Sequence, residues 1–274
     1  MTMMCKEKLL DAVQGKELFS KRLKNKKFSF TSVVIDSNDV VAGSLFVPLL
    51  GQFQDGHIYV EAAVLKGATV VLVCSSSIEE FFSTYEKLNS LEVCIIAVEN
   101  TLYALQALAA AYVREFPNLI KIAITGSSGK TTTKELIASV LKQKYNLVMT
   151  EGNLNSETGL PLSVLNIRKE HEVGVFEIGM NRTDEIAELT DVLFPHIAVI
   201  TNVGTSHIGI LGTKDEIAQQ KKQIFKNFSN DSVAFIPEHD DYASFLAENV
   251  RGKIIYYGKR QTEGVSNPRF LGIR

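Results

Sequence analysis

The residues best equipped for chemistry lie at 125–132, Thr-Gly-Ser-Ser-Gly-Lys-Thr-Thr. Two glycines three apart run straight into lysine and a hydroxyl residue. Glycines let backbone N–H groups close around phosphate oxygens, and a helix N-terminus adds its partial positive charge. Gly126, Ser127, Ser128, Gly129, Lys130, Thr131 and Thr132 are therefore candidate phosphate-binding residues. Lys130 is expected to reach the outer phosphates, and Thr131 to offer its hydroxyl to a magnesium ion. The loop is one residue shorter than the common form, with Thr125 where the longer motif has its first glycine. An ordinary Gly-Ser turn would not need strand, loop, lysine and hydroxyl in this order.

Three further side chains have the right chemistry at the right place. Glu177 closes the apolar run Gly174–Ile178, where a carboxylate one strand from a phosphate loop is expected to ligate magnesium. The alternative, an acid facing water, fits poorly with Val175, Phe176 and Ile178 around it. His207 follows Ile197–Ile200 and the run Thr201–Ser206; a structural and a functional histidine are both open there. Lys221 shares a helical stripe with Ile217, Ile224 and Phe225, whereas Lys222, about 100° away, is expected in solvent. A lysine on an apolar stripe either snorkels or is modified or catalytic. Two polar loops, Asp36–Asn38 and Asp55–His57, are candidate small-molecule contacts, with plain turn chemistry as the alternative.

The elements that must position these groups read as alternating strands and helices. Phe28–Ile35, Ser44–Val47, Thr69–Val73 and Val93–Val98 are predicted strands. Helices are predicted over 59–66 and 78–87, and a long one from a Thr101 cap to Pro117. Leu119–Ile124 reads as a buried parallel strand feeding the phosphate loop. Leu136, Ile137, Val140 and Leu141 mark the helix beyond it, which starts near Lys130. Residues 150–161 form a stretch rich in amides and hydroxyls. Thr213-Lys-Asp-Glu216 is a capping box that opens the Lys221 helix. Strands follow at Val233–Ile236 and Lys253–Tyr257, with a helix around 242–248 between them. The fold class is α/β in two domains, 1–117 and 118–274, the second a P-loop domain with a mostly parallel sheet.

Composition bounds the rest. The 274 residues, 45% hydrophobic, suffice for two cores, and a net charge of −2 with scattered basic residues carries no nucleic-acid footprint. No apolar run approaches the ~18 residues of a membrane span. Cys5, Cys74 and Cys94 lack metal-ligand spacing and read as reduced core thiols of a cytoplasmic protein.

Taken together, segments 125–135, 151–162, 177–181 and 200–207 resemble the Mur ligases, ATP-dependent amide-bond-forming enzymes of peptidoglycan precursor synthesis. Lys134-Glu135 and Gly152-Asn-Leu-Asn155 resemble the member that adds D-alanyl-D-alanine to UDP-N-acetylmuramoyl-tripeptide. Asp36-Ser37 and Asp55-Gly-His57 resemble its UDP-substrate domain. The resemblance implies ATP and Mg2+ as cofactors, and transfer of the γ-phosphoryl group to the tripeptide carboxylate to give an acyl phosphate. It implies catalytic roles for Lys130, Lys221 and His207. Magnesium would be held by Thr131, Glu177, His207 and a carbamylated Lys221. Asn153 would lie beside the nucleotide, and Ser37, Asn38, Asp55, His57 and Asn155 beside the substrates. The partners implied are the two substrates alone, with a monomeric protein.

Departures accompany the likeness. Asn38 stands where the family usually has arginine, and Ser156 where it usually has asparagine. The family continues beyond the position of Arg274 with a domain that closes over ATP, so the 274-residue chain is expected to bind ligands but ligate weakly. A diamino-acid-adding Mur ligase is the sister reading. A folate polyglutamate-type ligase would lack the motifs at 36–37 and 55–57. A non-catalytic nucleotide-sugar-binding fragment is the reading from another class.

Overall fold

A computed structural model of the chain describes residues 3–18, 29–51, 54–88, 91, 93–206 and 208–258. It divides into two compact units, residues 1–117 with 157–168, and residues 118–156 with 169–274. The segment 157–168, expected in the second domain, packs with the first.

The first unit contains α1 (Lys6–Val13), β1 (Lys16–Leu18), β2 (Ser32–Val34), β3 (Ser44–Phe46), α2 (Val60–Leu65), β4 (Ala68–Cys74), α3 (Ile78–Leu88), β5 (Cys94–Val98) and α4 (Thr101–Val113). Its described sheet has the order β1-β5-β4-β3-β2, parallel except for the β1–β5 pair. β4 and β5 are β-branched runs buried over nearly every residue, as strands covered on both faces must be. Phe46, Val71, Val73, Tyr85 and Ile95 form the core beside them.

Details differ from the sequence reading. Of the predicted 28–35 strand, the described residues form only β2, and Phe28 lies outside them. The cap of α4 is Asn100, whose Oδ1 accepts from Leu102 and Tyr103 N–H at 2.8 and 3.1 Å, so Thr101 is already helical. The predicted helix over 59–66 is a 3₁₀ turn at Gly56–Tyr59 followed by α2. Cys74 and Cys94 are buried, but Cys5 is exposed and not a core thiol.

The second unit contains β6 (Ile120–Thr125), α5 (Lys130–Leu141), β7 (Leu147–Met149), β8 (Val173–Glu177), α7 (Glu185–Leu193), β9 (Ile197–Ile200), α8 (Ile208–Leu211), α9 (Lys214–Lys222), β10 (Val233–Pro237), α10 (Ala243–Ala247) and β11 (Lys253–Tyr257); α6 (Gly159–Leu165) belongs to the first. The described strands make one parallel sheet, β11-β10-β9-β6-β8-β7. β6 is central, flanked by β8 and β9, with Ile124 opposite both Glu177 and Val199. This register brings the C-terminal ends of three strands together, the place where open α/β sheets bind ligands. The Thr213–Glu216 capping box is present. Lys222, expected in solvent, is half-buried. It donates to Phe245 O at 2.7 Å, with its ammonium 4.3 Å from the Phe245 ring centre. Leu136 and Val140 of α5 are exposed, and Ala138 and Lys134 are its buried residues.

Candidate active site

The phosphate loop leaves β6 at Gly126. Its φ of +155° and its neighbour both require glycine, because a Cβ there would lie 1.8 Å from Thr201 Oγ1. Gly129 is left-handed, at φ +77°, and a Cβ there would meet nothing within 4 Å. The first glycine is thus set by close packing, and the second by the turn into α5. Thr133 N donates to Gly129 O at 2.9 Å, the first helical bond, so the N–H groups of residues 129–132 lack intrahelical partners. Thr131 and Thr132 are exposed on this turn. Lys130 Nζ donates to Gly126 O at 3.0 Å, folding its ammonium over the loop.

Glu177 ends β8 with only 2% of its surface exposed. A buried carboxylate needs donors. Thr131 Oγ1 donates to one oxygen at 2.8 Å and Asn155 Nδ2 to the other at 2.7 Å. Asn155, assigned to substrate from the sequence, orients this carboxylate. Asn153 is exposed in the same loop, and its carbonyl accepts from Asn155 N.

Two groups to which the sequence reading gave no role at this site support the arrangement. Thr150 Oγ1 accepts from Glu177 N at 3.0 Å. Lys134, 1% exposed, donates to Thr150 O at 2.7 Å. One chain of contacts therefore ties α5, the end of β7 and the end of β8. The signal for Lys134 was its i+4 spacing from Lys130, on the face toward the sheet.

Lys221 is 1% exposed on α9. Burial, with the Lys130 charge as a lesser cause, lowers its pKa to about 7. It is a buried amine, so the snorkelling alternative fails. His207 lies outside the described residues.

The first unit holds the remaining candidates. Asp36 Oδ1 accepts from Asn38 N at 2.7 Å. Lys66 Nζ donates to Ser37 O at 3.0 Å and Asn38 Oδ1 at 3.3 Å. The His57 ring is 1% exposed and both its nitrogens are engaged, as the turn-chemistry alternative would have it. Cys74 N–H donates to Nε2 at 2.8 Å, so Nε2 is the bare nitrogen and Nδ1–H donates to Asp55 Oδ1 at 2.5 Å. With the ring spent on the protein, His57 braces the turn and leaves Asp55 as the partly exposed member.

Among the described residues, no group of three His, Cys, Asp or Glu side chains converges to hold a metal. Hydroxyl and carboxylate oxygens at Thr131 and Glu177 are hard ligands, a set that suits Mg2+, which takes few protein ligands and completes its shell with water and phosphate. The buried Thr125 hydroxyl, 1% exposed at the root of the loop, has no hydrogen-bond partner. No described helix is long and apolar enough to cross a membrane.

A central parallel strand, a glycine-lysine-threonine loop and a carboxylate on the next strand define a nucleotide-binding α/β protein. The Mur ligase middle domain matches residues 124–268, more than half the chain, and the Mur ligase family catalytic domain matches residues 29–113. The chain belongs to the Mur ligase family. It is 47% identical over 230 residues to UDP-N-acetylmuramoyl-tripeptide–D-alanyl-D-alanine ligase of Treponema pallidum, covering 83% of this chain and 49% of that protein. Against the enzyme of the same name from Bacillus subtilis it is 39% identical, over 73% of this chain and 42% of the relative. A crystal structure of MurF from Acinetobacter baumannii superposes with a TM-score of 0.81 at 31% identity, over 94% of this chain and 54% of that one. MurF ligase from Thermotoga maritima in complex with ADP gives 0.69, also at 31% identity, over 84% and 51%. The chain spans about half the length of the curated relatives it matches.

Proposed function

We propose that this chain forms the substrate-recognition and phosphate-binding part of a ligase that joins D-alanyl-D-alanine to UDP-N-acetylmuramoyl-tripeptide at the expense of ATP. The supporting observation is the meeting, at the C-terminal ends of neighbouring central strands, of the glycine-lysine-threonine loop and of Glu177 held between Thr131 and Asn155. The relatives' names supply the substrates, and the Thermotoga structure contains ADP.

In this reading the second unit is the ATP-binding domain. The unpaired N–H groups of 129–132 donate to phosphate oxygens, and Lys130 leaves Gly126 O to meet the outer phosphates. Thr131 and Glu177 hold Mg2+, with His207 and a carbamylated Lys221 as further ligands. The ion, when bound, neutralises charge on the phosphates. An amine with a pKa near 7 is substantially uncharged at neutral pH, the form that adds to carbon dioxide, and the carbamate turns a costly buried cation into an anion. The γ-phosphoryl group passes to the tripeptide carboxylate, and the dipeptide amine displaces phosphate from that acyl phosphate. The protein contributes position and charge neutralisation. The first unit is the UDP-substrate domain, with contacts from Ser37, Asn38 and Asp55.

The test is titration of the chain with ADP and magnesium, and with UDP-N-acetylmuramoyl-tripeptide, alongside ADP release with and without D-alanyl-D-alanine. Binding of both nucleotides is the expected result. Failure of the UDP substrate to bind would overturn the assignment of the first unit, and failure of ADP that of the second.

A further inference from the structure

The segment after β9 grips the first half of the phosphate loop. Asn202 Oδ1 accepts from the backbone N–H groups of Ser127 and Ser128, both at 3.0 Å, and its Nδ2 donates to Ser128 Oγ at 2.8 Å. Ser127 N also points to Asn202 O at 3.1 Å. Thr201 Oγ1 donates to Ser128 O at 2.6 Å, Ser206 Oγ to Ser127 O at 3.0 Å, and Gly204 N to Ser127 Oγ at 2.8 Å. Asp240 Oδ2 accepts from Val203 N at 2.7 Å, fastening the segment to the chain beyond β10.

We propose that Asn202 is a positioning residue that pre-forms the phosphate loop by taking the Ser127 and Ser128 N–H groups out of the phosphate-binding set. The loop is thereby divided. Residues 127–128 are held by protein, and only the N–H groups of 129–132 face an anion, at the start of a helix of 12 residues. One side chain must accept two N–H bonds and donate a third without adding charge beside phosphates. Asparagine does this; aspartate keeps the acceptors but brings a negative charge. Holding the loop before the ligand arrives lowers the ordering cost of binding.

The inference rests on the nucleotide reading of this loop, and two measurements separate the fates of the two ideas. The first is hydrogen exchange at Ser127 and Ser128 in the ligand-free 274-residue chain, for wild type, Asn202→Ala and Asn202→Asp, with the melting temperature as a check on global folding. Asn202→Ala is expected to speed exchange at Ser128, whose N–H is held by the side-chain Oδ1, and less at Ser127, which keeps the Asn202 main-chain carbonyl, at little change in melting, whereas Asn202→Asp keeps both slow. Equal exchange at Ser128 in wild type and Asn202→Ala, or equally fast exchange there in both variants, would overturn the proposal. The second is ADP titration. Asn202→Ala is expected to weaken binding about tenfold or more, and Asn202→Asp to weaken it in a way that depends on salt. Tighter binding or no change in Asn202→Ala would mean that the amide occupies a phosphate's place, and the proposal would fall. If wild type binds no ADP, the nucleotide reading fails, and exchange alone decides whether Asn202 holds the loop.

Discussion

Thr131 donates its hydroxyl proton to Glu177 across 2.8 Å, joining the first turn of α5 to the last residue of β8. The bond exists because β8 pairs with β6 in a register that sets Glu177 opposite Ile124, one residue short of the strand's end. Hydroxyl and carboxylate, 46 positions apart in the chain, become one oxygen-rich corner.

Replacing Glu177 tests that corner. Glu177→Ala leaves the Thr131 hydroxyl and the Asn155 amide without their acceptor and is expected to cost about 1–3 kcal/mol of stability. Glu177→Gln preserves the shape but not the charge. It is expected to abolish the magnesium dependence of ADP binding, read by titration with and without the ion. Unchanged magnesium dependence would remove Glu177 from the proposed ligand set.

The two loop glycines should behave differently. Gly126→Ala drives a methyl group into Thr201 and is expected to disrupt the loop, destabilising the protein by more than about 2 kcal/mol. Gly129→Ala meets open space and pays only for its left-handed backbone, about 1–2 kcal/mol. Urea unfolding of both variants ranks the two costs, and a larger loss for Gly129→Ala would contradict the packing described.

Lys134→Met removes the donor to Thr150 O and is expected to cost about 1–3 kcal/mol. Its ion-pair neighbour Glu135, with a side chain 54% exposed, is a control: Glu135→Ala should change stability by less than about 0.5 kcal/mol. Chemical denaturation of the pair checks both.

Lys221 predicts a pH dependence. Its pKa falls from the ordinary lysine value of 10.5 to about 7 in the folded chain. Between these values the unfolded chain binds more protons, so stability rises with pH across that window. Below about 7 the buried charge is present in full, and above 10.5 its cost is gone. In buffer free of carbon dioxide, the unfolding free energy is expected to climb from neutral pH towards pH 10 by on the order of a few kcal/mol. Lys221→Met should flatten the climb. An equally steep profile in the variant would assign it to other groups.

His57→Ala is expected to cost about 2–4 kcal/mol, since it removes a buried ring that joins Asp55 to the Cys74 backbone and leaves a cavity. Thermal unfolding measures it. A loss of UDP-substrate binding at unchanged stability would instead make the ring a ligand contact.

Local pattern alone picked out the glycine-lysine-threonine loop between β6 and α5, because a glycine-rich turn between an apolar strand and a helix is a signal contained within a dozen residues. The Thr213 capping box and the buried face carrying Lys221 were legible for the same reason: helical period and cap chemistry are short-range. The strands β4, β5, β6 and β11 followed from runs of β-branched residues. What the chain could not announce locally was partnership. The Glu177–Asn155 bond crosses from β8 to the loop after its neighbour β7, the Lys134–Thr150 contact joins α5 to the end of β7, and the grip of Asn202 on Ser127 and Ser128 exists because β9 lies beside β6. Sequence left His57 open between ligand contact and turn chemistry; only the packed chain shows its ring buried between Asp55 and the Cys74 backbone. Segment 157–168 joined the first unit through contacts such as Tyr112 OH donating to Ile167 O at 2.8 Å, a pairing that no periodicity encodes. The sequence by itself determined which chemistry the chain carries, since residue type and short spacing set that. The tertiary structure decided which groups stand exposed at the strand ends and which are buried behind them, since strand order and burial arise only when distant segments pack.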